Sequence, residues 1–149
     1  MKIILQKVTK GSVSVDGEIT GSVDLGFVAL VGVTHTDTQK EAELLAKKTA
    51  NLRVFSDDAG KMNLSALDVG GGVLVISQFT LYANTKKGRR PSFIDAAPPA
   101  IASPLVDHYA QRLQTEGITR VEHGVFGAMM MVEIHNDGPV TIILDTDAL

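Results

Sequence analysis

The sequence predicts an α+β fold, in which a mixed but mostly antiparallel β-sheet forms a barrel-like core and two helices pack against it. Segments with the composition of strands outnumber those with helical spacing, and the two helical segments interrupt the strands instead of alternating regularly with them. The chain has 149 residues, of which 44% are hydrophobic and 21% are charged. These values are ordinary for one globular unit, so we expect a single domain over residues 1–149.

The first elements of the chain are predicted to be strands. Val13 and Val15 alternate with serines, and Asp16-Gly17 is the dipeptide that a two-residue type I′ turn prefers, so a hairpin is expected here. The continuous apolar run of residues 27–33 has the length of a central strand that is covered on both faces.

Two helices are predicted from their start signals and their apolar spacing. Thr38 opens a capping-box pattern, followed by apolar residues at helical spacing over about residues 39–52. A second helix is expected with Ser103 as its N-cap, Pro104 at its first position and Gly117 at its end.

Polar side chains are concentrated at the end of another predicted strand, residues 73–82. Strand alternation would place Gln78 and Thr80 on one face, with Ser77 and Phe79 on the other. Thr80 is the most suggestive hydroxyl of the chain, although no sequence signature supplies it with a base. The residues alone leave two interpretations open, an active site or a strand end that satisfies its own polar groups.

The segment 136–141 is a polar turn-forming sequence between two apolar runs, residues 128–134 and 142–144. The local pattern therefore predicts a strand, a tight connection and a second strand. Pro139 has no N–H for a sheet ladder, so this backbone is shaped for something other than pairing. The residues alone favour a trans Gly138–Pro139 bond, because only about 5–6% of X-Pro bonds in folded proteins are cis.

The charge of the chain limits how it could bind nucleic acid. The formal net charge of -3 gives no whole-protein attraction for nucleic acid, so any such contact must be local. The one candidate is a basic loop, which is either a solvated surface or a phosphate contact, and its cations are Lys86, Lys87, Arg89 and Arg90.

No cofactor or metal is expected. The chain has no cysteine, and its four histidines are scattered without a recognised metal-binding spacing. No apolar run approaches the roughly 20 residues of a membrane span and no signal-peptide pattern is present, so we expect a cytoplasmic protein.

Two short motifs closely resemble the signature motifs of the D-aminoacyl-tRNA deacylases. They are Ser-Gln-Phe-Thr-Leu at residues 77–81 and Asn-Asp-Gly-Pro-Val-Thr at residues 136–141. The resemblance extends over essentially the whole chain, since residues 6–8, 16–17, 61–65, 86–93 and 124–128 also look like that family.

The resemblance implies an activity and an assembly. The family hydrolyses the ester that links a D-amino acid to the terminal adenosine of tRNA, and it also removes glycine from mischarged tRNA. The resemblance further implies a homodimer with its active site at the subunit interface and a cis Gly138–Pro139 bond whose carbonyl groups point into the partner's pocket. Rigid backbone oxygens there would collide with an L side chain, so this pair would act as a chiral filter.

The resemblance also implies roles for the other candidates. Ser77, Gln78, Phe79 and Thr80 become the catalytic strand end, with backbone N–H groups of Phe79 and Thr80 as oxyanion donors and with a positioning role for the Thr80 side chain. The 2′-hydroxyl of the tRNA is the alternative activator of water. Phe126 and Met130 would line the adenine pocket or belong to the core, and the basic loop becomes a phosphate contact. Competing hypotheses are a non-catalytic RNA-binding module and a small-molecule esterase.

Overall fold

The computed structural model describes all residues 1–149 and confirms the α+β fold. Strands outnumber helices, and the two helices lie together on one side of the sheet. The elements are β1 (Lys2–Val15), β2 (Glu18–Val23), β3 (Gly26–Gly32), α1 (Gln39–Asn51), β4 (Phe55–Ser56), β5 (Met62–Leu64), β6 (Gly72–Ser77), a 3₁₀ turn (Phe79–Tyr82), α2 (Pro99–Thr115), β7 (Val121–His123), β8 (Met131–Asp145) and a final 3₁₀ turn (Thr146–Ala148).

The main sheet has the order β2-β1-β3-β6-β7, and β8 pairs along the other edge of β1. The pairs β3–β6 and β6–β7 are parallel, whereas those that involve β1 are antiparallel. The sheet curls so that its two outer strands, β2 and β7, approach each other. A Cβ atom on Gly21 of β2 would lie only 2.7 Å from the carbonyl oxygen of His123 in β7. The sheet is therefore nearly closed, as the predicted barrel-like core requires.

The hairpin and the central strand are found where the sequence predicts them. Asp16 (φ 51°) and Gly17 (φ 83°) both have positive φ, the conformation of a type I′ turn between β1 and β2. In β3, Phe27 and Val31 pack toward the helices, while Val28 packs inside the barrel. Because both faces of β3 are buried, its sequence is continuously apolar.

Helix α1 begins at the predicted capping box. The Thr38 backbone N–H donates to the Glu41 carboxylate at 2.7 Å, and the Thr38 hydroxyl accepts from the Lys40 N–H at 3.3 Å. The hydrogen bonds from Thr38 lower the pKa of Glu41. No helix of the structure is both long enough and apolar enough to cross a membrane.

The predicted start of helix α2 is wrong. The helix begins at Pro99, with Pro98 as its N-cap, and Pro104 lies inside the helix. Proline favours the first helical position because its φ is already set and its missing N–H would be unpaired there. The chain continues through Pro104 because the buried stripe on both sides of it, from Ala102 to Leu113, packs into the core and outweighs one lost hydrogen bond. The predicted end is correct, since the helix stops just before Gly117.

Gly26→Ala should strongly destabilise the fold. Gly26 begins β3 with φ +152°, and a Cβ atom on it would lie 1.9 Å from the carbonyl oxygen of Gly72 in the neighbouring β6. Because backbone atoms on both strands must separate, we expect a loss of roughly 3 kcal/mol or more in the free energy of unfolding, measured in urea.

Gly60→Ala is the matched control, because Gly60 also has positive φ (+75°) but no other atom lies within 4 Å of the place that its Cβ would occupy. It should cost only the conformational strain, about 1–2 kcal/mol. Equal losses for the two variants would contradict the close approach of β3 and β6.

Candidate active site

The strand that was predicted to run to residue 82 ends at Ser77 instead. The Gln78 N–H still donates to the Val31 carbonyl at 2.7 Å, but residues 79–82 then form a 3₁₀ turn. The neighbouring β3 ends at Gly32, where a Cβ atom would lie only 3.2 Å from the Gln78 carbonyl oxygen. The expected alternation of faces is therefore wrong, because the partner strand has ended and the chain turns across a glycine.

The 3₁₀ turn leaves two neighbouring backbone donors free. Its first internal bond runs from the Leu81 N–H to the Gln78 carbonyl at 3.2 Å, and the Gln78 side chain makes no capping bond. The N–H groups of Phe79 and Thr80 thus stand at the start of a helical turn, where no internal acceptor exists. The Gln78 amide instead donates to the Thr80 hydroxyl at 2.5 Å. Gln78 and Thr80 therefore lie together as expected, but a 3₁₀ turn brings them together instead of strand alternation.

A cavity of about 600 Å³ opens beside this turn. Five of the candidates line it, namely Ser77, Gln78, Phe79, Phe126 and Met130, whereas Thr80 is exposed and lies outside the lining. The rest of the wall is mostly apolar and consists of Val31, Val33, Ile76, Phe93, Ala96, Ala97, Pro99, Ala102, Val106, Gly127, Ala128, Met129 and Val132.

The aromatic wall of the cavity includes Phe93, for which the sequence alone indicates no role. Its ring packs edge-on against Phe79, with 4.9 Å between the centroids and 72° between the planes. The segment after Phe93 is fixed to the end of β3, since the Thr34 hydroxyl donates to the Asp95 carbonyl at 2.6 Å. Phe79 remains 57% exposed, and the Phe93 ring covers part of its edge. No spacing rule in the sequence indicates a contact between these two turns.

No residue that lines the cavity has a titratable side chain. Tyr82, which ends the 3₁₀ turn, does not line the cavity, and burial raises the pKa of its hydroxyl and keeps it neutral, with smaller contributions from Asp37, Asp145 and Asp147. No group of three or more histidine or acidic residues could hold a metal ion. The cavity therefore offers backbone N–H groups, an amide and a hydroxyl, but no acid or base of this chain.

The basic loop begins directly after the 3₁₀ turn and ends next to the cavity. Asn84 and Ser92 close it through two backbone hydrogen bonds of 2.7 and 2.9 Å, and Phe93 of the cavity wall follows. All four cations are exposed and none takes part in an ion pair, namely Lys86, Lys87, Arg89 and Arg90. The loop thus carries four uncompensated charges beside the cavity.

The second motif lies in a bulge within a single strand, so the predicted strand–connection–strand arrangement is wrong. Asn136 of β8 is opposite Val8 of β1, and Thr141 is opposite Gln6, so residues 137–140 face the single residue Lys7. Both apolar runs pair with the same long strand β1. β1 is extended here, and β8 contains additional residues without reversing its direction. The arrangement is therefore a bulge and not a turn between two strands.

Gly138 and Pro139 are exposed at the tip of this bulge, and the peptide bond between them is cis. The preference for a trans bond from the residues alone is therefore wrong. Gly138 has φ +127°, a region that favours glycine. Neither residue lines the cavity, so the structure does not bring the two motifs together within one chain.

Side chains join the two feet of the bulge, which are Asn136 and Thr141. The Asn136 carbonyl oxygen Oδ1 accepts from the Val140 N–H at 3.0 Å, and its amide donates to the Gln6 side-chain oxygen and, at 3.2 Å, to the Thr141 hydroxyl. That hydroxyl donates to the same Gln6 oxygen at 2.9 Å. Gln6 therefore accepts from both feet of the bulge.

Lys7 is the residue of β1 that lies opposite the bulge. Its side chain is 9% exposed, and its ammonium group lies 3.2 Å from the carboxylate of Asp137, which is 44% exposed. The sequence contained a signal for this residue, because Lys7 continues the alternation of Ile3 and Leu5, both buried. A lysine in a core-facing position needs a partner, and Asp137 provides it.

Replacement of Asp137 should lower the free energy of unfolding more than replacement of Lys7. Asp137→Ala leaves a buried ammonium group unpaired and should cost about 2–3 kcal/mol of unfolding free energy, whereas Lys7→Met leaves a carboxylate in contact with water and should cost about 1 kcal/mol. Denaturant unfolding checks the difference, with the exposed Asp58→Ala as the control. A larger loss for Lys7→Met would show that the ammonium group is not held in this way.

Known proteins resemble the chain over nearly its whole length. A family model described as D-Tyr-tRNA(Tyr) deacylase matches residues 4–145. A protein of Thermomicrobium roseum named D-aminoacyl-tRNA deacylase is 58% identical over 100% of this chain and 96% of its own length. A protein of Roseiflexus castenholzii with the same name is 57% identical over 98% of this chain and 92% of its own.

Two solved structures have the same fold. One is titled c-Myc DNA Unwinding Element Binding Protein, with a TM-score of 0.91, 40% identity and coverage of 98% of this chain and 99% of its own. The other, a probable eukaryotic D-amino acid tRNA deacylase, has a TM-score of 0.81 and covers 96% of this chain and 97% of its own. Since it is only 15% identical, it supports the fold alone.

Proposed function

The chain belongs to the D-Tyr-tRNA(Tyr) deacylase family, and we propose that its cavity hydrolyses the ester between a D-amino acid and the terminal adenosine of tRNA. The observation that carries this proposal is the position of two free backbone N–H groups, those of Phe79 and Thr80, next to a cavity with aromatic walls. Ester hydrolysis needs donors for a developing oxyanion, and the adenosine needs apolar surfaces for its base.

The two N–H groups act on the ester carbonyl. As water adds, negative charge develops on the carbonyl oxygen, and fixed donors stabilise that charge without reorganising. The Thr80 hydroxyl is held by the Gln78 amide at 2.5 Å and has no base in contact with it. An unassisted hydroxyl is a poor nucleophile, so Thr80 and Gln78 position the turn instead of attacking the ester.

The attacking water is activated by the substrate. Because no titratable side chain lines the cavity, this chain brings no general base to the carbonyl carbon. The 2′-hydroxyl of the terminal ribose lies next to the ester in aminoacyl-tRNA. It accepts a proton from the attacking water and passes its own proton to the departing 3′-oxygen, as the bond between that oxygen and the carbonyl carbon breaks. The protein then contributes geometry and electrostatic stabilisation.

The terminal adenine stacks within the apolar part of the cavity. Phe126 is 38% exposed and borders the cavity together with Met130, so a flat base can reach both side chains. Unpaired bases are commonly held by stacking on aromatic rings. The basic loop, which ends at the cavity wall, contacts phosphate groups of the acceptor strand.

Chiral selection requires a second copy of the chain. Gly138 and Pro139 are exposed at a bulge outside the cavity of their own subunit. In the proposed homodimer this bulge enters the partner's cavity, where the two carbonyl oxygens collide with an L side chain but tolerate hydrogen. The enzyme consequently accepts many D-residues, and it also accepts glycine, as on mischarged Gly-tRNA(Ala).

Exposed apolar side chains near the cavity support the homodimer. Met129, which lines the cavity, is 92% exposed, and Met131 at the start of β8 is 69% exposed. Large exposed apolar side chains grouped at one site are typical of protein interfaces. Aminoacyl-tRNA is used for translation in the cytoplasm, and we propose that the enzyme acts there.

Purified protein should release the amino acid from D-Tyr-tRNA and leave L-Tyr-tRNA intact, since only the L side chain meets the bulge. Radiolabelled amino acid that remains attached to tRNA is measured over time for both substrates. Release from neither substrate would favour a non-catalytic RNA-binding module, and equal release from both would disprove the chiral filter. A further comparison with D-Tyr-adenosine separates this enzyme from an esterase that ignores the tRNA body.

Loss of charge in the basic loop should weaken tRNA binding in a salt-dependent manner. Replacing Lys86 and Arg89 by glutamine removes two phosphate contacts, so the slope of log binding constant against log salt should become shallower by about 1.4. Fluorescence titration of labelled tRNA between low and moderate salt provides the measurement.

The matched control replaces Lys47 and Lys48, two exposed lysines of helix α1, by glutamine. It changes the net charge by the same amount, and it should leave the slope unchanged. A similar slope for both double variants would assign the effect to overall charge and not to the loop.

A further inference from the structure

We propose that Gln6 is a positioning residue for chiral selection, because its side-chain oxygen joins the two feet of the bulge that carries Gly138 and Pro139. This inference rests on the proposed function, in which that bulge rejects L-residues in the partner's cavity. Gln6 does not line the cavity of its own chain, and its side-chain oxygen is hydrogen-bonded to Asn136 and Thr141. Its influence therefore passes through Asn136 and Thr141.

The shape of the bulge depends on its two feet, because the register between β1 and β8 changes between them. Four residues of β8 span the distance that Lys7 alone spans in β1. Backbone pairing fixes the strand on both sides, at Asn136 and at Thr141, but the ladder is interrupted between them. The direction of the Gly138 and Pro139 carbonyl groups thus depends on how the two feet are held relative to each other.

Gln6 holds both feet through one atom. Its Oε1 accepts a hydrogen bond from the Asn136 amide and another, at 2.9 Å, from the Thr141 hydroxyl. The Asn136 side chain extends the connection into the bulge, because its Oδ1 accepts from the Val140 N–H at 3.0 Å. A continuous set of hydrogen bonds therefore links β1 to the residue that follows Pro139.

Loss of Gln6 should affect selection more than folding. The network is only partly buried, so water can replace the missing acceptor and the rest of the β1–β8 ladder remains intact. A displaced carbonyl group, however, no longer collides fully with an L side chain. Displacements of about 1 Å are sufficient to change reaction rates strongly when geometry determines the outcome.

The test compares kcat/KM for D-Tyr-tRNA and L-Tyr-tRNA in the wild type, Gln6→Met, Gln6→Glu and Gln114→Met. Methionine keeps the length of the side chain but removes the acceptor. We expect the D/L ratio to fall by about tenfold or more in Gln6→Met through faster hydrolysis of L-Tyr-tRNA, because two hydrogen bonds are lost. Glutamate keeps an acceptor oxygen and should restore most of the ratio. Gln114 is exposed in helix α2, and its replacement should have no effect.

The outcomes separate this inference from the proposed function. A wild type that does not discriminate overturns the proposed function and the inference with it. A wild type that discriminates, together with an unchanged ratio in Gln6→Met, overturns the inference alone. A slower hydrolysis of D-Tyr-tRNA in Gln6→Met with no gain in hydrolysis of L-Tyr-tRNA also overturns it, because a general structural defect acts that way. If Gln6→Met does not fold, Thr141→Val removes the donor of the same bond and takes its place in the comparison.

Discussion

The structure depends on the unequal pairing between β1 and β8. The two strands run antiparallel over most of their length, but four residues of β8 stand opposite Lys7. The buried ammonium group of Lys7 requires an anion, and Asp137 at the start of the bulge supplies it at 3.2 Å. The same mismatch that interrupts the ladder therefore exposes Gly138 and Pro139 in a defined place. A regular pairing would have left these residues flat in an edge strand.

The cavity arises from a second interruption, at the carboxyl end of the parallel pair β3–β6. Because β3 ends at Gly32, the chain after Ser77 turns over it and releases two backbone donors. Packing of Phe93 on Phe79 then fixes the turn against the segment that leads into helix α2. The proposed oxyanion donors and the proposed chiral filter are thus both backbone groups at places where sheet pairing is interrupted. This agrees with a cavity wall that has no titratable side chain.

The sequence predicts the regular parts of this fold well, because they follow local patterns. The hairpin at Asp16-Gly17, the central strand β3 and helix α1 all lie where composition and capping indicate. The errors fall where tertiary structure decides: a partner strand that ends, a core that continues helix α2 through Pro104, and a register difference near residue 138. The motifs identify candidate residues, but only the fold shows that the two motifs lie apart within one subunit.

In the proposed homodimer, one subunit provides the cavity and the other provides the chiral filter. The decisive experiment is a crystal structure with a non-hydrolysable D-tyrosyl-adenosine analogue. We expect the analogue's carbonyl oxygen at the N–H groups of Phe79 and Thr80, with the carbonyl oxygens of the partner subunit's Gly138 and the partner subunit's Pro139 about 4 Å from its α-carbon. A monomer, or an analogue whose α-carbon faces solvent, would disprove a filter supplied by the partner subunit.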